Sequence, residues 1–345
     1  MSDGFILALE TSCDDTCAAV IDTGGQTLAN VISSQQVHER FGGVVPEIAS
    51  RHHLQLVNLI VEQALEQAGI TLDQVELVGA TQGPGLVGAL LVGLSTAKAL
   101  AAARELPFAA VDHLQGHVAA NFLDEAFEPP FLCLIASGGH TLLARVSEHQ
   151  GFEVLGRTLD DAAGEAFDKG ARMLGLRYPG GAALERLAAD GDPEAFSFPG
   201  SRAERARGGR GTSRQAFARS LDFSFAGLKT ALLYRLREMS ESDVRARAAD
   251  LAASYQRAIV DSLTVGAEQA LERTGLERLA VGGGVAANGE LRQRLMQLGA
   301  TVHIPARVLC TDNAAMIASA ARFAVCLPYP RYLGLDAYAT GERPR

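Results

Sequence analysis

Short apolar runs closed by glycine or polar turns alternate along this chain with longer stretches in which apolar positions return every three or four residues. The first kind predicts strands over 5–10, 16–22 and 27–33, with Gly24-Gly25 turning the chain between the last two. The second predicts a helix over 52–67, where Leu54, Val57, Ile60, Val61, Ala64, Leu65 and Ala68 share a face and Gly69 stops it. A strand over 76–82 then runs through Gly83-Pro84-Gly85 into an apolar helix over 86–103, and a strand over 108–112 follows. The order repeats further on. Strands are expected over 131–137, 141–147 and 152–159, and helices over 164–174, 183–189 and 243–273. A strand over 279–281 feeds Gly282-Gly283-Gly284 and a helix over 289–298, before a strand at 302–305 and a last helix over 312–326.

Two halves with mixed sheets flanked by helices place the chain in the α/β class, as a distant duplication rather than a short repeat. Such halves would face each other across a cleft, where ligands usually sit. Composition fits a globular protein: 345 residues, 48% hydrophobic and 21% charged. The first residues are polar and the run 5–9 is too short for a signal core. The stretch 86–103 carries Gly, Ser and Lys98, so it is expected to be a buried helix, with no membrane association. Five scattered cysteines argue against a disulfide framework and for a reducing compartment. A net charge of −9 is unlike a general nucleic-acid binder. The charge is uneven, however. Between 201 and 220 six arginines stand against Glu204 alone, interrupted by glycines, which makes either a solvated insert or a local field suited to phosphates.

Two glycine turns end strands: Ile135-Ala136-Ser137-Gly138-Gly139-His140-Thr141 and Val281-Gly282-Gly283-Gly284-Val285-Ala286-Ala287-Asn288. Glycine lets backbone N–H groups approach a phosphate or adenine, and the second turn feeds a helix N-terminus. Neither matches the P-loop or the dinucleotide fingerprint. Each alone is also an ordinary tight turn; together, one in each half, they suggest a nucleotide. His113-Leu114-Gln115-Gly116-His117 puts two imidazoles four residues apart, on one face if helical. Surface or core histidines show the same spacing. Leu114 stands where a zinc protease needs its glutamate, which counts against peptide hydrolysis. Asp312 is a candidate third ligand and equally a candidate helix N-cap. Two histidines and a carboxylate would leave positions open for substrate, as in a Lewis-acid site.

Several segments, in order, resemble one family. They are Leu9-Glu10-Thr11-Ser12-Cys13-Asp14-Asp15-Thr16, the run from Val44 to His53, Gly83-Pro84-Gly85-Leu86, His113 to His117, Ser137 to Thr141, Asp160 to Lys169, Tyr178-Pro179-Gly180-Gly181, Asp222 to Thr230, and Gly282 to Asn288. Together they are similar to the bacterial tRNA threonylcarbamoyladenosine transferases over nearly the whole chain. The resemblance implies an actin-like and Hsp70-like two-lobed fold with a central cleft. One lobe would span 1–112, joined by the C-terminal helix of about 312–345; the other would span 113–311 and carry the arginine-rich loop. It implies transfer of a threonylcarbamoyl group from threonylcarbamoyl-adenylate to the exocyclic amine of the adenosine next to the anticodon, in tRNAs reading codons that begin with A, with release of AMP. It further implies one divalent metal ion, Fe2+ first and Zn2+ as the alternative, on His113, His117 and Asp312. Substrate contacts would fall at Ile135, Ala136, Ser137, Gly138, Gly139, Asp168, Gly181 and Asn288. Glu185 stands where relatives carry an aspartate, and Asp14 is an activity candidate. The implied partners are tRNA, a smaller inactive paralogue and a small P-loop ATPase, in the cytoplasm. Two departures stand out: Gly289 where an arginine usually follows the asparagine, with Arg292 four places on, and the length of the arginine-rich insert. The competing readings are an ATPase or kinase of the same fold, a metallopeptidase and a non-catalytic assembly subunit.

Overall fold

A computed structural model describes residues 4–123, 127–198 and 220–339. The chain forms two compact units, Met1–Pro129 with Glu148–Gly151 and Pro305–Arg345, and Pro130–Ser147 with Phe152–Ile304. The boundary expected at 112/113 falls instead at 129/130, so the histidine motif belongs to the first unit.

In that unit β1 (Phe5–Glu10), β2 (Asp15–Asp22) and β3 (Thr27–Ser34) make an antiparallel meander. Helix α1 (Pro46–Ala68) leads to β4 (Val75–Gly83), α2 (Val87–Ala103) and β5 (Phe108–Asp112), giving a mixed sheet in the order β3-β2-β1-β4-β5. Helix α1 starts six residues earlier than its apolar stripe predicts. Pro46 at the first helical position starts it, and its first turn is largely exposed and so shows no stripe. Strand β1 is buried on both faces, which is why it reads as one apolar run. Leu7 and Leu9 pack with Val57, Ile60 and Val61 of α1 and Leu94 of α2. Burying side chains of this size stabilises by about 1.5–3 kcal/mol each. Helix α3 (His113–Ala119) follows β5 directly.

The second unit has the same plan. Strands β6 (Phe131–Ala136), β7 (Thr141–Val146) and β8 (Glu153–Arg157) form a meander. Helices α4 (Ala163–Met173), α5 (Gly180–Ala188), α6 (Ala226–Glu238), α7 (Glu241–Ala246) and α8 (Ala248–Thr274) come next. Then β9 (Arg278–Gly282), α9 (Gly289–Leu295) and β10 (Thr301–His303) complete a sheet in the order β10-β9-β6-β7-β8. The single helix expected over 243–273 is broken at Arg247, which leaves helical geometry with φ −113° and ψ 19°. Helix α6 carries too weak a stripe to be read from sequence, since only Leu228 and Leu232 are buried. The arginine-rich insert at 201–220 lies outside the described residues, Ser220 excepted.

The chain returns to the first unit through α10 (Arg307–Cys310) and α11 (Ala314–Ala321). Helix α11 covers the sheet face opposite α1 and α2: a Cβ on Gly79 would lie 3.0 Å from Ala321 Cβ and 3.7 Å from Ala8 Cβ. By strand alternation Glu10 shares that face with Ala8. Among the described residues no helix is long and apolar enough to cross a membrane.

Candidate functional site

The first unit holds the histidines. Asp112 caps α3, its Oδ1 accepting from the Leu114 and Gln115 amides at 2.9 and 3.1 Å. The helix therefore begins at His113, and His117 comes one turn later on the same face. Their ring centroids are 4.7 Å apart and the planes 73° apart. Gly116 lets α3 approach α11, because a Cβ there would stand 2.7 Å from Ile317 Cδ1. That close packing is why α3 joins the first unit. The N-cap of α11 is Asn313, whose side chain accepts from the Met316 amide at 3.0 Å. Asp312 is thus not the cap. Its Oδ1 lies 3.6 Å from His113 Nε2 and 3.4 Å from His117 Nε2. The donor atoms of all three residues lie within 4.8 Å of one another.

These residues fit a metal ion. Both nitrogens of His117 are buried and make no hydrogen bond. An unpaired buried polar group costs about 1–3 kcal/mol, which a bound cation would relieve. His113 is already oriented as a ligand. Its Nδ1 contacts Glu10 Oε2 at 3.0 Å and Ser12 Oγ at 3.2 Å, leaving Nε2 toward Asp312. Glu10 is fully buried and was not assigned a role from sequence. Its Oε2 also accepts from Thr81 Oγ1 at 2.6 Å, and its Oε1 accepts from the Ser12 amide. An acid closing an otherwise apolar, doubly buried strand is the signal that could have flagged it.

Buried charge is concentrated in this cluster. Burial alone would depress His113, yet Asp312 and Glu10 push it up to about 9. Burial would raise Glu10, but the neighbouring His113 holds it below the usual carboxylate range. Asp15 is pushed up to about 7, first by burial and then by the charges of Asp312, Asp14 and Glu10. The Cys13 thiol is raised by burial and by Asp14 and Asp312. Asp14 itself lies in the loop between β1 and β2, near this cluster, with its carbonyl accepting from the Gln35 amide at 3.2 Å. His53, also missed, steadies this loop by donating from Nε2 to the Cys13 carbonyl at 2.9 Å.

The remaining candidates all lie in the second unit. The two glycine turns do not fall one in each half: Ile135 pairs with Gly282 across parallel strands β6 and β9, so both turns leave the same end of one sheet. That end is where α/β sheets usually bind ligands. Gly283 has φ +89°, and a Cβ on it would lie 2.4 Å from the Ala136 carbonyl oxygen. The Ser137–His140 turn is closed by Ser137 N donating to His140 O at 2.8 Å and His140 N donating to Ser137 Oγ at 3.1 Å. Gly138 and Gly139 are exposed, with no atom within 4 Å of where a Cβ would sit. Ile135 and Ala136 are buried sheet residues.

Around these turns runs one hydrogen-bonded chain. Asp168 of α4 accepts through Oδ1 from the Gly180 and Gly181 amides at 2.8 and 3.2 Å, seating the start of α5. Glu185 of α5 accepts from the Gly289 amide at 2.7 Å. Asn288 caps α9 by accepting from the Leu291 amide at 2.9 Å, and its Nδ2 donates to Gln256 Oε1 of α8 at 2.9 Å. Arg292 turns back to the Ala286 carbonyl at 3.0 Å.

Similarity follows the same two features. The chain resembles the Acidaminococcus fermentans (R)-2-hydroxyglutaryl-CoA dehydratase component A with a TM-score of 0.56 at 14% identity, covering 93% of this chain and 97% of that one. It resembles T. kodakarensis HypF with a TM-score of 0.60 at 14% identity, covering 92% of this chain and 48% of that one. Two mixed five-stranded sheets on a shared plan, with neighbours of this kind, make this an α/β protein of the actin-like class. The family model described as TsaD: tRNA N6-adenosine threonylcarbamoyltransferase matches residues 26–319. A relative of that name from Clostridium perfringens is 46% identical over 329 residues, 94% of this chain and 93% of its own length. Another from Pelobacter propionicus is 47% identical over 345 residues, 99% and 98% of the two chains. The chain belongs to the tRNA N6-adenosine threonylcarbamoyltransferase family, a family of group-transfer enzymes.

Proposed function

We propose that this protein moves a threonylcarbamoyl group from threonylcarbamoyl-adenylate to the exocyclic amine of the adenosine next to the anticodon, in tRNAs reading codons that begin with A. The amine nitrogen forms a bond to the carbamoyl carbon, the bond from that carbon to the phosphate oxygen breaks, the amine gives up a proton, and AMP leaves. Such an amine is a weak nucleophile, so positioning and activation of the acyl carbon must supply most of the rate.

The observation that carries this reading is the convergence of His113, His117 and Asp312, with His117 otherwise unpaired in the interior. The set of two imidazoles and a carboxylate suits Fe2+ or Zn2+ better than Mg2+, and Fe2+ is the proposed ion. When bound, the ion would act as a Lewis acid toward donor oxygens. The rest falls to the chain itself. Glu10 holds the His113 tautomer. The open turn at Gly138-Gly139 offers backbone N–H groups to the adenylate. Asp168, Gly181, Glu185 and Asn288 keep that surface in register. Asp14, in the loop between β1 and β2, contributes charge beside Cys13. The proposed partners are tRNA, a smaller inactive paralogue and a small P-loop ATPase, in the cytoplasm.

The test is nucleoside analysis of tRNA incubated with the adenylate and the protein. His113→Ala should lose the modified nucleoside by at least about 100-fold while circular dichroism stays unchanged. A fully active variant would refute the role given to the triad.

A further inference from the structure

The C-terminal segment lies across the start of the helix that presents both histidines. Its backbone is pinned along its length: Gln82 Nε2 donates to the Asp336 carbonyl at 2.8 Å, Tyr338 N donates to the Gln82 carbonyl at 3.2 Å, and Gly85 N donates to the Ala339 carbonyl at 3.1 Å. Lys98 Nζ adds bonds to the Leu333 and Leu335 carbonyls at 3.1 and 2.8 Å. Gly83 makes room for this path, since a Cβ there would stand 2.3 Å from the Tyr338 carbonyl oxygen and 2.9 Å from its ring. Tyr338 is 6% exposed, and its hydroxyl donates to Asp112 Oδ2 at 2.6 Å. The other oxygen of Asp112 is the one that caps α3.

We propose that Tyr338 is a positioning residue for the His113–His117–Asp312 triad, acting through the Asp112 carboxylate. Helix α3 has only seven residues, too few to hold a conformation by its own hydrogen bonds. Its entry angle is set by its cap and by packing at Gly116. A capping carboxylate with one oxygen on two amides can still rotate about its side-chain bonds. A short hydrogen bond from a buried phenol to the second oxygen removes that freedom. The residue after the cap is His113, so the angle at which its Nε2 meets Asp312 depends on the phenol, as does the placement of His117 one turn on. The phenol thus acts on the histidines through the carboxylate it touches, from 226 positions away in the chain.

The inference rests on the metal reading above, and the experiment separates the two. Metal-free full-length protein is titrated with Co2+, reading both the dissociation constant and the visible absorption of the bound ion. The variants are Tyr338→Phe, Asp112→Ala and the double variant. The unaltered protein is expected to bind one Co2+. Tyr338→Phe should bind at least about tenfold more weakly with an altered absorption band, as outer-shell losses typically do. Its metal-free stability should fall by no more than the loss of one hydrogen bond to a carboxylate. In the Asp112→Ala background the Tyr338→Phe change should add nothing further. Failure of the unaltered protein to bind the ion would sink the metal reading and this one with it. Binding by Tyr338→Phe equal to that of the unaltered protein, or an undiminished effect of Tyr338→Phe when Asp112 is already alanine, would overturn the role of Tyr338 alone.

Discussion

The two units share a plan and differ in what they make of it. The first unit places side chains at the C-terminal ends of β1 and β5: imidazoles and a carboxylate, held by a buried glutamate, a phenol and a helix cap. The second removes side chains from the equivalent work and leaves backbone, at Gly138, Gly139 and Gly283, with a ring of hydrogen bonds fixing the helices behind it. Side-chain sites concentrate charge and are sensitive to protons. Backbone sites depend on shape and are sensitive to added volume. On the proposed reading, the same architecture would serve a cation centre in one place and a surface for a phosphate or a purine in another.

The largest effect should come from adding volume to the backbone site. Gly283→Ala combines a positive φ with a Cβ 2.4 Å from a main-chain oxygen. Backbone strain of about 1–3 kcal/mol and overpacking of about 1–3 kcal/mol predict a loss of several kcal/mol in the second unit. Thermal denaturation followed by limited proteolysis should show that loss confined to residues 130–147 and 152–304. An unchanged melt would mean the two turns do not constrain each other.

A smaller effect is expected on the other side. Glu10→Gln keeps the shape but removes the negative charge and one acceptor from the group that orients His113. Metal affinity should fall about 10–100-fold, measured by competition with a chelator, with the adenylate-binding constant unmoved. Equal losses in both constants would erase the proposed division between the two kinds of site.

The third test changes only the solvent, through pH. His113 is held up to about 9 when no cation is present, above its ordinary 6.5. In the metal-free protein the stability from its proton is therefore complete below about 6.5 and is lost as pH rises through about 9. A binding ion must displace that proton, so affinity should rise with pH, by about tenfold per unit between 6.5 and 9 if one proton is released. Isothermal titration in buffers of different ionisation enthalpy would count the proton; a pH-independent constant would show that His113 is neutral before the ion arrives.

Much of this was readable in the residues. Strands β1 and β5 match their apolar runs to the residue, because each is short, buried and bounded by sharp turns. The histidine pair was visible in its spacing, which surface and core histidines share, and Asp312 stood out equally as a ligand or a helix cap; the resemblance joined the three. Nothing in the local sequence shows that Asn313, not Asp312, takes the cap. Glu10, Asp112 and Tyr338 escaped because their roles are set by tertiary neighbours far off in the chain. Helix α6 and the first turn of α1 escaped because exposed helix leaves no apolar period. The placement of both glycine turns on adjoining strands is a matter of sheet order, which periodicity does not encode.

Gly116 has an implication for how the protein is made. The helix it belongs to rests on α11, and Ser319 of α11 bonds the carbonyl of Ala119, 200 positions earlier. During synthesis the histidines leave the ribosome long before the aspartate that completes their set. Until α11 arrives, one face of the first sheet, Glu10 included, stays open to water. On the proposed reading, an ion could be held by all three groups only late in the life of the nascent chain, and a truncated product ending before residue 312 would carry both imidazoles with no third ligand to close on a metal.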